Sequence, residues 1–188
     1  MDKTEFFYKY VVASSEMDYD ERIKIEKESI DPNPINIGAG NRNLIIVMEE
    51  CSELIQELIN IQIGLGDRLS LIEEVADVEQ GLDYVKIICG ISDKDIRYDI
   101  SFGTEISYDQ RTINPIISLS LLQQQISKYL RNKSDKRKMI EVVTNMYKSL
   151  EYIKYAYSID KTEINKAINV KLQRLVEVKQ NDSTAIYQ

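Results

Sequence analysis

Residues 44–89 read LIIVMEECSELIQELINIQIGLGDRLSLIEEVADVEQGLDYVKIIC, and the spacing of apolar and acidic positions within this stretch decides the fold. Leu44, Val47, Cys51, Leu54, Leu58 and Ile61 step by three and four residues, and Ile45, Met48, Ile55 and Ile59 widen the same face. Leu71, Val75, Val78, Leu82, Val85 and Cys89 make a second seam of the same kind. Two core-facing helices are therefore expected. Between them Gly64 and Gly66 break the first, and Asp67 or Ser70 caps the second.

Each seam carries an acidic cluster, Glu49-Glu50-Cys51-Ser52-Glu53 and Glu73-Glu74-Val75-Ala76-Asp77. At about 100° per residue, Glu50, Glu53 and Glu57 form one carboxylate stripe along the edge of the first apolar face. Glu74 falls inside the second seam and Asp77 at its border. An ionised carboxylate turned toward a core is costly unless a cation or several donors compensate it. Any one of these acids would ordinarily belong to a solvated face, but two pairs spaced i, i+3 on neighbouring helices can converge on one point. The chain contains no histidine. Oxygen-only ligands suit a hard cation, Mg2+ or alternatively Mn2+, and suit zinc or copper poorly. Ser70, Glu74, Asp77 and Gly81 also line up as a polar, small-sided stripe that leaves room for a ligand beside the carboxylates.

These residues resemble the signature of the all-α nucleoside triphosphate pyrophosphohydrolases, the superfamily of MazG-like proteins and dimeric dUTPases. The signature is E-E-x-x-E, a spacer, then E-x-x-D; here it reads Glu49-Glu50-x-x-Glu53 followed by Glu74-x-x-Asp77, within Asn43 to about Lys86. The resemblance implies a hydrolase built as an all-α bundle. Its reaction would be Mg2+-dependent cleavage of a nucleoside or deoxynucleoside triphosphate between the α and β phosphates, clearing unwanted nucleotides as monophosphate and pyrophosphate. Glu50, Glu53, Glu74 and Asp77 would bind the metal, with Glu53 placing the attacking water and Glu49 or Glu73 in support. In the resembling family, basic residues on a later helix meet the phosphates, and Lys171 and Arg174 occupy such positions here.

The chain has 188 residues with 43% hydrophobic content, enough for one domain with a sizeable core. A net charge of -7 makes a nucleic acid polymer a poor partner. Cys51 and Cys89 both fall on helix seams, which reads as two buried, reduced thiols in a cytoplasmic protein. No run reaches the length of a membrane span, and the first residues lack the apolar core of a signal peptide. The lack of histidine excludes Ser-His and Cys-His nucleophile pairs.

Pro32, Pro34 and Pro115 divide the chain. Residues 1–42 form an N-terminal extension, with a short apolar helix around Phe6, Phe7, Tyr10 and Val11, a charged helical stretch from Tyr19 to Ser29, and an irregular approach through Gly38-Ala39-Gly40-Asn41. Residues 43–100 carry the motif and end in a third helix that starts at Ser92 and turns Ile96 and Ile100 inward. Residues 101–115 read as a linker, 116–180 as a degenerate repeat of the motif-bearing part, and 181–188 as a tail. A shift of 68 aligns Ile72-Glu73-Glu74-Val75 with Ile140-Glu141-Val142-Val143, and Leu82 to Lys86 with Leu150 to Lys154. The helix Leu119 to Arg131 matches the first motif helix at a slightly larger offset, which sets Glu50 and Glu53 against Leu122 and Gln125; Glu74 and Asp77 meet Val142 and Asn145. The acids are not repeated. Lys128, Arg131, Lys133, Lys136, Arg137 and Lys138 read as a solvated basic face. The expected whole is two helical repeats packed together, one catalytic, in an arrangement that allows a homodimer. The rival reading keeps the same bundle as a catalytically silent interaction or regulatory protein.

Overall fold

The computed structural model describes residues 42–100 and 106–171, the backbone of residues 37–41, and Lys24, which is helical and exposed. The helices expected near Phe6 and across most of Tyr19 to Ser29, and the tail, lie outside the described residues. What is described is helical, with no strand. In chain order come α1 (Ile37–Gln62), α2 (Arg68–Cys89), a single 3-10 turn (Asp93–Asp95), a π-helical turn (Asp109–Ile113), α3 (Asn114–Leu130) and α4 (Lys136–Ala156). A last helix, α5, is described over residues 161–171. Among the described residues no helix is long and apolar enough to cross a membrane.

Most of each seam buries as its spacing dictates, but Ile61 and Cys89 are only half-buried, and Ile45 and Ile59, expected to widen the first apolar face, are exposed because no described helix packs on that side of α1. Leu44, Val47, Cys51, Leu54 and Leu58 of α1 and Leu71, Val75, Val78, Leu82 and Val85 of α2 are all fully buried. They share one core with Leu119, Leu122 and Ile126 of α3, Met139, Val143, Met146 and Leu150 of α4, and Ile164 and Ile168 of α5. α1 pairs with α2 and α3 with α4, while α3 lies on α1 and α4 on α2. α5 closes the bundle beside the first hairpin. Arg68 at the start of α2 holds Glu163 through two 2.7 Å hydrogen bonds, and Lys171 reaches Asp77. Since 163 to 171 and 68 to 77 both ascend, α5 runs alongside α2 in the same direction.

The α1–α2 and α3–α4 hairpins are closed by the same devices, 68 residues apart. The Leu65 N–H donates to Asn60 O at 2.8 Å, and the Lys133 N–H to Lys128 O at 2.8 Å. Gly64 and Asn132 both take positive φ, 75° and 55°. Asp67 caps α2 and Asp135 caps α4, each accepting from first-turn amides. At the far ends Gly90 and Ser158 again have positive φ, and the next amides, Ile91 and Ile159, each bond back at 2.8 Å to Lys86 O and Lys154 O. The contacts between the hairpins reciprocate as well. Lys86 Nζ lies 3.4 Å from Tyr147 Oη, and Lys154 Nζ lies 2.8 Å from Glu79 Oε1, with Lys86 equivalent to Lys154 and Glu79 to Tyr147.

This geometry corrects the register expected for the first helix pair. With the turn fixed at 68, Glu50 is equivalent to Ser118 and Glu53 to Leu121, whereas Leu122 answers to Leu54 and Gln125 to Glu57. The buried pairs Cys51 and Leu119, Leu54 and Leu122, and Leu58 and Ile126 then coincide. Three further expectations are revised. Gly38 to Asn41 are helical, because a helix anchored by Leu44 and Val47 propagates through glycine at a cost of only about 1 kcal/mol each. The third helix is a single 3-10 turn, started by the Ser92 N–H bonding to Asp95 Oδ2 at 2.8 Å; beyond it Tyr98 leaves to stack parallel on Tyr147, with ring centres 6.3 Å apart. Part of the expected linker is helical: among the described residues 106–115, helical backbone begins at Tyr108 and the π turn at Asp109. A π turn, with the Asn114 N–H bonded to Asp109 O, precedes Pro115, which lacks a donor and crowds an ordinary preceding turn.

Gly66 is fixed by contact. A Cβ there would stand 2.7 Å from the Ile61 backbone nitrogen and 2.6 Å from Glu57 Oε1. Glu57 is committed to this turn, accepting from the Asp67 N–H at 3.1 Å, and so is not part of an open carboxylate stripe. Gly66→Ala should lower stability by about 1–3 kcal/mol, read from chemical denaturation midpoints.

Candidate metal centre between α1, α2 and α5

The site begins with a close approach of two helices. Gly81 faces Val47, and a Cβ on Gly81 would lie 3.1 Å from both Val47 methyls. The glycine therefore sets how near α2 comes to α1 and does not leave open space for a ligand, as its place in a small-sided stripe had suggested. Ser70 is likewise engaged, its hydroxyl donating to Asp67 Oδ2 at 2.8 Å within the α2 cap.

One turn from this contact, Glu50 of α1 and Glu74 and Asp77 of α2 bring one carboxylate oxygen each to within 4.8 Å of the others. Oxygens about 2.1 Å from a single Mg2+ sit about 3–4 Å apart, so this spacing suits a shared hard cation. Glu74 Oε2 is buried and has no hydrogen-bond partner. Asp77 is only 9% exposed and pairs with Lys171 from α5. An orphaned buried carboxylate oxygen, a lysine ammonium already drawn in, and an all-oxygen donor set together fit a divalent metal ion.

Charge at the site is crowded. Burial, followed by the charge of Asp77, pushes Glu50 up to about 7, and the same two causes push Glu74 up to about 7. Asp77 is also raised by burial, against the opposing pull of Lys171. Cys51, next to Glu50, is raised to about 12 by burial, which makes it an inert core thiol.

Of the ligands expected from sequence, Glu50, Glu74 and Asp77 converge, and Glu53 does not join them. It is exposed at the rim, near enough for its charge to raise Glu50, Glu74 and Asp77. Glu49 is exposed, and Glu73 is half-buried and engaged elsewhere. Lys171 reaches the site directly, while Arg174 lies outside the described residues. A second polar group escaped the sequence reading. Lys86 is buried against Asp83 and Asp93, each at 2.8 Å, on a face of α2 turned away from the carboxylates. It lines a cavity of about 260 Å³ with Glu79, Tyr98 and Tyr147. The i, i+3 spacing of Asp83 and Lys86 was the available signal, but such pairs are common on solvated faces.

The raised carboxyls fix a pH dependence. Below about pH 4.5 Glu50 and Glu74 are protonated in both the folded and unfolded states; between about 4.5 and 7 the folded protein keeps protons that the unfolded chain has released. Stability from these groups is thus fully present at the acid end of that window and lost as pH rises through about 7. Without metal, the melting temperature should fall between about pH 5.5 and 7.5, and Glu74→Gln should flatten the fall. A metal-free melting temperature that rises across this window would contradict the crowding described.

Comparison with protein-family models, with curated proteins and with solved structures returned no match to this chain.

Proposed function

We propose that the chain is a Mg2+-dependent nucleoside triphosphate pyrophosphohydrolase of the cytoplasm, splitting its substrate between the α and β phosphates. The observation that carries the reading is the convergence of Glu50, Glu74 and Asp77 from two helices around a buried, unpartnered carboxylate oxygen. The motif resemblance supplies the reaction type. A divalent ion held by these three carboxylates supplies the positive charge that neutralises a triphosphate chain. Lys171, about a third exposed beside Asp77, adds a cation that can meet a phosphate oxygen. To Glu53, exposed at the rim, we assign the orienting of a water and the taking of its proton.

The second reading, a catalytically silent interaction or regulatory protein, is favoured by one observation, which equally supports a homodimer of the enzyme. Ile45 and Ile59 on α1, Ile113 at the end of the π turn, and Ile117 and Leu121 on α3 are all more than a third exposed.

The test is product analysis with a panel of nucleotides and Mg2+. Monophosphate and pyrophosphate are expected; orthophosphate alone would point to attack at the γ phosphate instead. Asp77→Asn should lower turnover by about 10²-fold or more while the fold persists, since it removes a ligand charge from a crowded site. Asn145→Asp, at the equivalent and exposed position of α4, should leave turnover unchanged because Val142 and Ser118 offer no partner acids. Wild-type turnover in Asp77→Asn would refute the assignment.

A further inference from the structure

We propose that Lys171 is the resident counterion of the carboxylate cluster and competes with divalent metal for it, so that metal enters only by displacing the ammonium; this rests on reading the cluster as a metal site. Lys171 contacts Asp77, whose side chain is 10% exposed, and its own side chain is 34% exposed. The backbone of α5 at this point is anchored by the buried Ala167, Ile168 and Val170, so the ammonium can leave for solvent without the helix moving.

An ammonium is an incomplete occupant. It pairs with Asp77 and leaves Glu74 Oε2 with no hydrogen-bond partner, although three carboxylates surround the space. A divalent ion would serve all three at once. The two cations cannot share the position, because like charges in contact within a partly desolvated site repel strongly. The lysine therefore does two things: it limits mutual repulsion of the acids in the metal-free protein, and it weakens apparent metal affinity by the work of its removal. The second hairpin is consistent with this role, because the positions equivalent to the acids are Ser118, Val142 and Asn145, which require no counterion.

The experiment is Mn2+ binding to the full chain, followed by the electron paramagnetic resonance of free Mn2+, for wild type, Lys171→Met and Lys171→Arg. Lys171→Met should bind about tenfold more tightly than wild type, and Lys171→Arg, which keeps the charge, should stay within about threefold of it. Without metal, Lys171→Met should melt below wild type, and saturating Mn2+ should remove the difference. Should Lys171→Met lose cooperative melting, Lys171→Gln carries the same comparison with a polar head retained. Mn2+ binding by wild type with no tightening in the neutral variant overturns the competition alone. No Mn2+ binding by any variant overturns the metal reading, and the competition with it.

Discussion

Three carboxylates from two helices occupy a space in which ionising all of them is costly, and much of the structure around them follows from this. The acids meet because α2 comes close to α1, and it comes close because position 81 carries no side chain to hold Val47 away. Burial there raises Glu50, Glu74 and Asp77 together. Repulsion of this kind lowers stability, and the protein offsets it with one continuous apolar core and with a helix, α5, that delivers Lys171.

The second hairpin shows that the acids are not needed to build the motif. It uses the same turn, the same aspartate caps and the same left-handed closing residues, yet places Ser118, Val142 and Asn145 where the first hairpin has Glu50, Glu74 and Asp77. Ser118 and Ser149, equivalent to Glu50 and Gly81, hydrogen-bond across the helix pair at 2.8 Å. Two packings of similar backbone thus differ chiefly in whether the helix interface is neutral or charged. A charged interface where a neutral one also folds does not by itself stabilise the motif.

The central lines of the α1 and α2 seams were legible, because a period of 3.6 specifies a buried face, but its width was not: Ile45 and Ile59 are exposed. The site was legible in part. Glu50, Glu53 and Glu57 share one stripe, but only the three-dimensional approach of α2 decides which of them is enclosed: Glu50 is, Glu53 faces solvent, and Glu57 is taken by the turn. The offset of 68 was legible for α4 but not for α3, because residues four apart occupy the same helix face and a slip of one turn preserves the apolar pattern. The positive-φ residues Gly64 and Asn132, with the turn hydrogen bonds and the caps Asp67 and Asp135, pin it. The expected third helix failed for a different reason. Its starting signal at Ser92 is real, but the ring of Tyr147 draws Tyr98 out of any continuing helix, and that partner lies on α4, where local sequence cannot reveal it.

Asp77 and Lys171 are separated by 94 positions. A chain emerging from the ribosome completes the α1–α2 hairpin long before α5 is made, at roughly 5–20 residues per second. For several seconds the acids of α1 and α2 exist without the ammonium that α5 brings to Asp77. Docking of α5 then couples the synthesis of residues 161–171 to the balancing of the cluster's charge.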